Sequence, residues 1–443
     1  MAAVMLWAPR AWLGGRWRDD VLFTVGADGC WQSIAADTPP PPQAERLHGP
    51  AIPGLVNAHS HAFQRAFAGL AERRDRAADD FWSWRDRMYG VALRIGPGQL
   101  QAVATHLYAE LLAGGYTQVC EFHYLHHAPD GRRYEVFATM AQALAAAAAE
   151  AGIGLTLLPV LYERAGFTQP ALRDDQRRFR ATAAEVRELQ AAVPGSGVAV
   201  HSLRAARPES IRVLAEACEG PIHVHVAEQT AEVDDCLAAT GCRPIEWLAK
   251  HAPLDARWQL VHATHTVPAE IDAVAKAGAG VVLCPATEAN LGDGLADLPG
   301  WLAAGVPLTV GSDSQVVRAW PEELRWLDYG QRLLQRRRNV AADPGREPAT
   351  AARLYEAVRA GSAAAAGFAR WGFEPGARAD LLELATCDAA LAGLPASHLL
   401  DGLVFAAPAA PFTRTMVAGR WARPDRAAIT ARHAAAMQDL WGA

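Results

Sequence analysis

With 443 residues, 51% of them hydrophobic and 20% charged, the chain can bury a large core and hold one barrel-sized domain plus a smaller one. Its formal charge of -6 is spread without long single-sign blocks, which leaves no basic footprint for nucleic acid or an anionic membrane and favours a small-molecule partner. Seven scattered cysteines (Cys30, Cys120, Cys218, Cys236, Cys242, Cys284, Cys387) include no C-x-x-C pair, which argues against a disulfide framework or a thiolate zinc site and for the cytoplasm.

The N-terminus, MAAVMLWAPRAWLGGRW, has no basic residue ahead of its apolar run, and Pro9 and Arg10 interrupt that run. No stretch approaches the roughly 18 continuous apolar residues of a membrane span, so neither secretion nor insertion is expected. Residues 1–50 predict short strands over Ala11–Trp17, Val21–Val25 and Cys30–Ile34, followed by the run Pro39–Pro42. From Ile52 onward, short β-rich apolar runs alternate with long helical stretches. The runs are Ile52–Ala58, Thr117–Phe122, Gly154–Val160, Gly197–Val200, Pro221–Val226, Trp258–His262, Gly280–Cys284 and Pro307–Gly311. Helices are expected over Pro97–Ala113, Tyr134–Ala151, Asp174–Ala192 and Pro208–Cys218. This is the pattern of βα units, and the predicted class is α/β: a (β/α)8 TIM barrel over residues 51–374 whose reactive groups gather where strands end. After a helical region over Glu322–Phe368, strand patterns return in Ala377–Leu384, Gly402–Ala406 and Thr413–Trp421. Strands at both ends of the chain predict a small β-sandwich domain assembled from residues 1–50 and 375–443.

The first barrel run leads into IPGLVNAHSHAFQRAFAGL, where His59 and His61, two residues apart, share one face of a strand end. Alone, H-x-H is more readily a pair of loop polars or satisfied histidines than a metal grip. The fifth run, however, reads PIHVHVAEQ, with His223 and His225 on one face and Glu228 three residues on. The sixth ends in LVHATH with His262, and the eighth in TVGSDSQ with Asp313. All lie at carboxyl ends of predicted strands, the face where barrel enzymes do their chemistry.

The motifs PGLVNAHSH, HVHVAE, VHATH and VGSDS, in that order and on those strands, resemble the amidohydrolase superfamily, specifically its single-metal deaminase branch, over essentially the whole chain. The resemblance implies His59, His61, His225 and Asp313 as ligands of one divalent ion, zinc or another divalent metal. Three imidazoles, a carboxylate and a water are also the donors that a catalytic zinc site asks for. Binuclear members use a bridging carboxylated lysine from the middle of the barrel; here the only lysines are Lys250 and Lys276, against forty arginines, so a single metal follows. Zinc lowers the pKa of its water to about 7. On this reading Asp313 contacts metal and water, His262 takes or shields the proton, and Glu228 protonates the leaving nitrogen. The expected reaction is hydrolysis at a carbon bearing an amino or imino nitrogen, with release of ammonia.

Within that branch, AHSHAFQRAFAG with Gln64, FWSWRDRMY with Arg85, EFHYLHH with Tyr124, and HSLRA with His201 and Arg204 resemble the deiminases of histidine degradation that act on N-formimidoyl-L-glutamate. This implies Gln64, Arg85, Tyr124, His201 and Arg204 as the substrate-binding set. Two carboxylates and an amidinium call for guanidinium and hydroxyl donors, and both arginines can reach the barrel mouth. Arg85 can equally be a packing residue beside Trp82, Trp84 and Met88. Arg204, if buried at a strand end, requires anionic company. His123, His126 and His127 are expected to be solvated loop residues, His265 to be secondary, and His223 to sit deeper in a packing or orienting role. Two alternatives stand beside this reading. One is a single-metal deaminase of purines or nucleoside-like rings, whose pocket would need stacking and amide readout rather than two arginines. The other is a catalytically silent barrel serving as a binding protein, which the filled ligand positions disfavour. A homodimer is expected by fold analogy alone.

Overall fold

The computed structural model describes residues 4–74 and 81–442, with the side chains of all but 81–83. Eight parallel strands close into a barrel: Leu55–Ser60 (β1), Tyr116–His123 (β2), Gly154–Leu161 (β3), Val198–Ser202 (β4), Ile222–Val226 (β5), Trp258–His262 (β6), Gly280–Leu283 (β7) and Leu308–Val310 (β8). Closure is made by Val310 of β8 against Asn57 of β1. The strands fall on the eight expected runs, shifted by a few residues at most. β1, β2, β5, β6, β7 and β8 are buried along their whole length, because side chains fill the barrel inside and helices cover it outside.

The first expected run divides in two. Ala51 and Ile52 pair with Leu382 and Glu383 in a different sheet, and the barrel strand starts only at Leu55. Pro53 has no N–H to give a ladder, and its carbonyl accepts from the Tyr355 hydroxyl at 2.6 Å while that of Gly54 accepts from the Trp371 indole at 2.8 Å. A Cβ on Gly54 would lie 2.3 Å from Thr117 Cγ2, so this crossing point requires glycine.

Helices cover the barrel over Pro97–Ala113 as expected, and over Thr139–Ala151, Ala183–Ala192 and Pro208–Ala217. The third starts nine residues later than its expected beginning at Asp174. A reciprocal cap fixes its start: Glu185 N–H donates to Thr182 Oγ1 at 3.3 Å, and Thr182 N–H to Glu185 Oε2 at 2.9 Å. The preceding residues instead form a loop that sends Arg178 and Phe179 inward. The region 322–368 resolves into two helices, Trp320–Gln335 and Thr350–Ala366.

The small domain is one continuous sheet of eight strands drawn from both ends of the chain. It has its own core, in which Phe23 and Trp31 each pack edge to face with Phe373. The expected strand Ala11–Trp17 is the end of one strand and the start of the next, joined by a hairpin at Gly14 and Gly15, both at positive φ. The expected strand Gly402–Ala406 is a helix, Leu399–Phe405. Leu399, Leu400, Leu403 and Val404 are its large buried apolar side chains, a helical spacing that so short an apolar run does not distinguish from a strand. The last helix, Arg426–Trp441, lies on the barrel helix Pro97–Ala113: His433 stacks on His106 with ring centroids 4.2 Å apart, and the Trp441 indole donates to the Ala66 carbonyl at 3.0 Å. Among the described residues no helix is long and apolar enough to cross a membrane, and all seven cysteines are free thiols.

Candidate active site

The carboxyl ends of β1, β5, β6 and β8 converge. His59 Nε2 and His225 Nε2 face each other at 2.9 Å, and Asp313 Oδ1 lies 3.5 Å from His59 Nε2 and 3.4 Å from His61 Nε2. The ligating atoms of His59, His61 and His225 fall within 4.8 Å of one another, as do those of His59, His262 and Asp313. The four residues predicted to hold a metal are thus gathered in two overlapping trios that share His59.

Local structure explains the convergence. β8 is locked to β1 by Asn57, which donates through Nδ2 to Ser312 Oγ at 2.6 Å and accepts from Ser312 N–H at 2.9 Å. Gly311 passes so close that a Cβ there would lie 2.6 Å from His59 Cβ and 2.8 Å from the His59 carbonyl oxygen. Asp313 N–H then donates to that carbonyl at 3.0 Å. Ala227, His262, Ala263, Asp313 and Gln315 all adopt positive φ, between +43° and +69°. Such conformations cost of order 1 kcal/mol or more each in non-glycine residues and cluster at functional sites. They turn the chain sharply at the strand ends, so that side chains point across the barrel mouth.

The donor set fits a divalent cation. His61 Nδ1 is 3.0 Å from the Phe122 carbonyl and His225 Nδ1 is 2.8 Å from the His201 carbonyl, so each ring keeps its proton there and turns an Nε2 lone pair inward. Burial drives the His59 pKa down to about 3 and lowers those of His61 and His225, keeping the rings neutral as metal ligands must be. Burial raises the Asp313 pKa, but its hydrogen bond to His59 and the surrounding imidazoles outweigh this and hold the carboxyl well below the usual carboxylate range.

Beside these ligands lies a second set of groups with the opposite tendency. His262 Nε2 stands 3.6 Å from Glu228 Oε1 and 3.8 Å from Asp313 Oδ2, and its Nδ1 stands 3.4 Å from Glu288 Oε1. Burial works against its charge, but the carboxylates of Glu228, Glu288 and Asp313 prevail and raise its pKa to about 10. Burial, with Asp313 and Glu232 nearby, raises that of Glu228 to about 7 against the pull of His262 and Arg204. A proton carrier poised near neutrality therefore borders the metal-fitting cluster.

One cavity opens onto both sets. Its lining includes His61, Gln64, Arg85, Tyr124, His201, Arg204, His225, Glu228, His262 and Asp313, so every predicted site residue except His59, which is fully buried, borders the same space. Gln64 Nε2 donates to the Tyr124 hydroxyl at 3.3 Å, while Gln64 Oε1 is buried without a partner. Arg204 Nη1 donates to Ser202 Oγ at 3.4 Å and has no carboxylate at ion-pairing distance among the described residues. Arg85 lies on the helix Phe81–Ala92 with its guanidinium 5.6 Å from the Tyr89 ring centre. Trp84 and Met88 line the cavity as well; the Trp82 side chain lies outside the described residues.

Several histidine expectations change. His123, His126 and His127 are buried rather than solvated: His126 Nε2 is 3.0 Å from the Val160 carbonyl, and His127 Nδ1 is 3.4 Å from that of Arg178. The inward loop at Arg178 covers them, and among the described residues no carboxylate pairs with them. His223 is in the barrel floor, 2.9 Å from the Ala365 carbonyl. His265 holds the Asp293 carbonyl at 2.8 Å. Unforeseen were Glu288 and Asp293 after β7, Tyr162 at the end of β3, and Glu121 of β2, which accepts from Ser60 Oγ at 2.7 Å and Ala62 N–H at 2.5 Å and thereby fixes the turn carrying His61. Glu288 was open to the strand-end rule that singled out Asp313.

A parallel barrel with imidazoles and one carboxylate converging at its strand ends defines a class of metal-dependent hydrolase. The amidohydrolase family model matches residues 51–422, and the chain belongs to that family. It is 44% identical to the formimidoylglutamate deiminase of Pseudomonas aeruginosa over 99% of this chain and 98% of that protein. Among solved structures, an amidohydrolase from Brucella melitensis superposes with a TM-score of 0.92 at 40% identity, covering 99% of both chains. An adenosine deaminase from Xanthomonas campestris with bound zinc shares the fold, with a TM-score of 0.79 at 23% identity over 99% of both chains.

Proposed function

We propose that this chain hydrolyses N-formimidoyl-L-glutamate to N-formyl-L-glutamate and ammonia, as a cytoplasmic enzyme of histidine degradation, with one zinc ion held by His59, His61, His225 and Asp313. The observation that carries the substrate assignment is that two arginines border the same cavity as the metal-fitting cluster, and that Arg204 has no carboxylate partner among the described residues. A largely buried guanidinium gains most from an anion that arrives with the substrate. The 44% identity to a protein named for this activity supports the same substrate.

When bound, zinc would lower the pKa of water to about 7 and so make a nucleophile available at neutral pH. The remaining work falls to the chain. Arg204 and Arg85 bind the carboxylates, with Tyr124 and His201 beside them on the cavity wall. Gln64 Oε1, a buried acceptor, takes an N–H of the formimidoyl group and turns its carbon toward the histidines. Attack forms the new C–O bond. Asp313 receives the proton lost from the water, His262, already protonated, stabilises the developing negative charge, and Glu228 delivers a proton to the imino nitrogen. The C–N bond to that nitrogen then breaks. Both protons of the water end on it, and it departs as ammonia, leaving the formyl group on glutamate.

Product identification tests the proposal. Formylglutamate plus ammonia is expected, whereas glutamate plus formamide means that the other C–N bond is cleaved. Guanine and an adenosine analogue serve as competing substrates, and ammonia release from a purine alone overturns the assignment.

A further inference from the structure

Next to the four proposed ligands is a second group of buried donors: the ligating atoms of Glu228, His262 and Asp293 lie within 4.8 Å of one another. Asp293 is only 5% exposed. Its Oδ1 accepts from Gln229 Nε2, and its Oδ2 is buried without a partner. The His262 Nε2 to Glu228 Oε1 separation of 3.6 Å is close to the edge of ~3.4 Å that tetrahedral zinc with bonds of ~2.1 Å would span. Glu288 Oε1 is 3.4 Å from the other nitrogen of His262, and the Glu232 side chain, also buried, accepts from Glu228 N–H at 3.1 Å. Arg204, at the cavity wall, acts on both Glu228 and Glu232 but forms an ion pair with neither. Buried carboxylates at this density cannot all ionise; they retain protons or take up a cation.

We infer that Glu228, His262 and Asp293 form a second divalent-cation site, distinct from the catalytic one, and that its occupation by excess zinc switches the enzyme off. The inference rests on the catalytic reading of Glu228 and His262 given above. A cation bound there displaces the protons that these two groups must carry during turnover, and it closes the cavity at the point where the leaving nitrogen is protonated. Asp293 takes no part in the reaction itself, so the site separates inhibition from catalysis at one residue.

The test uses the enzyme loaded with one equivalent of zinc, with free zinc as the probe. Equilibrium dialysis reads stoichiometry and ammonia release reads turnover. The expected result is a second equivalent bound, accompanied by at least an approximately 100-fold loss of turnover, the scale of losing general acid–base catalysis. Asp293→Asn keeps the parent turnover at one equivalent, takes up no second equivalent and resists excess zinc. Should that variant fold poorly, stoichiometry and inhibition of the parent still decide. A parent that stays at one equivalent, or stays active when the second is bound, overturns the inference. So does a second equivalent that persists with full inhibition in Asp293→Asn, because it then lies elsewhere. Two bound cations with no turnover of N-formimidoyl-L-glutamate at any loading would refute the substrate reading alone, and turnover indifferent to zinc would refute this inference alone.

Discussion

Arg204→Gln probes the substrate assignment most directly, because it keeps a hydrogen-bond donor at the cavity wall and removes only the charge. Arg204 donates to Ser202 Oγ at 3.4 Å and forms no ion pair among the described residues, so on the proposed reading a substrate carboxylate is its partner. Two charge-assisted hydrogen bonds at about 1.5–3 kcal/mol each give a gross interaction of about 3–6 kcal/mol. Burial works against the charge of Arg204 in the free enzyme, although Glu232 and Glu228 favour it, so part of the gross interaction is offset and the net loss is set at about 3–4 kcal/mol. At 1.4 kcal/mol per factor of ten, kcat/KM for N-formimidoyl-L-glutamate should fall about 100- to 1,000-fold. The assay compares ammonia release from this substrate with release from N-formimidoyl-4-aminobutyrate and N-formimidoyl-L-2-aminobutyrate, each lacking one carboxylate. The parent should prefer the dicarboxylate to both, and Arg204→Gln should leave one of the two monocarboxylates nearly unaffected, namely the one that lacks the group Arg204 binds. Equal losses on all three substrates, or a drop of less than tenfold on the first, would refute the reasoning.

Three further outcomes are expected. Glu228→Gln should retain its metal, measured by elemental analysis, and lose about 100- to 10,000-fold in turnover, since the amide preserves shape but has no acidic proton to give; unchanged turnover removes Glu228 from the mechanism. Gly311→Ala should weaken metal binding by about 10- to 100-fold in chelator competition, because the new methyl group meets His59 Cβ at 2.6 Å and must push a ligand aside. The stacked pair His106 and His433 ties the C-terminal helix to the barrel, and burial lowers the pKa of both rings, that of His433 to about 4. The unfolded chain then binds protons more readily than the folded one, so this contribution to stability is complete above the ordinary value of 6.5 and is lost as pH falls from there toward 4. The drop in Tm between pH 7 and pH 5 should accordingly shrink in His433→Gln, and an identical drop in both proteins contradicts the assignment.

Much of the barrel is legible because a strand buried on both faces leaves a continuous apolar run, and eight such runs spaced by helical stretches have few other solutions. What fails is local and has local causes. Ile52 and Leu55 belong to one apolar run, yet Pro53 and Gly54 hand the chain from one sheet to another between them, a break set by Tyr355, Trp371 and Thr117, which are remote in sequence. The run at Gly402 is too short for its period to be read, and only the buried spacing Leu399, Leu400, Leu403, Val404 in three dimensions declares it a helix.

At the site, legibility follows the same division between strand ends and loops. His59, His61, His225, Glu228, His262 and Asp313 can be read from the sequence because strand alternation and the carboxyl-end rule fix where they point. The loop histidines 123, 126 and 127 cannot, because their burial depends on Arg178, about fifty residues later, folding back so that its guanidinium donates to the His127 carbonyl at 2.8 Å. Asp293 is hidden for a related reason. It follows the helix Pro285–Leu291, with Gly294 after it at a φ of +126°, and only that turn brings its carboxylate beside Glu228 and His262. The groups proposed for catalysis are thus set by strands, whose geometry is periodic, whereas the neighbouring Glu288 and Asp293 come from the segment after β7, whose path is set by individual dihedral angles. A sequence reading therefore recovers the candidate residues at strand ends more readily than the loop carboxylates that set their surroundings.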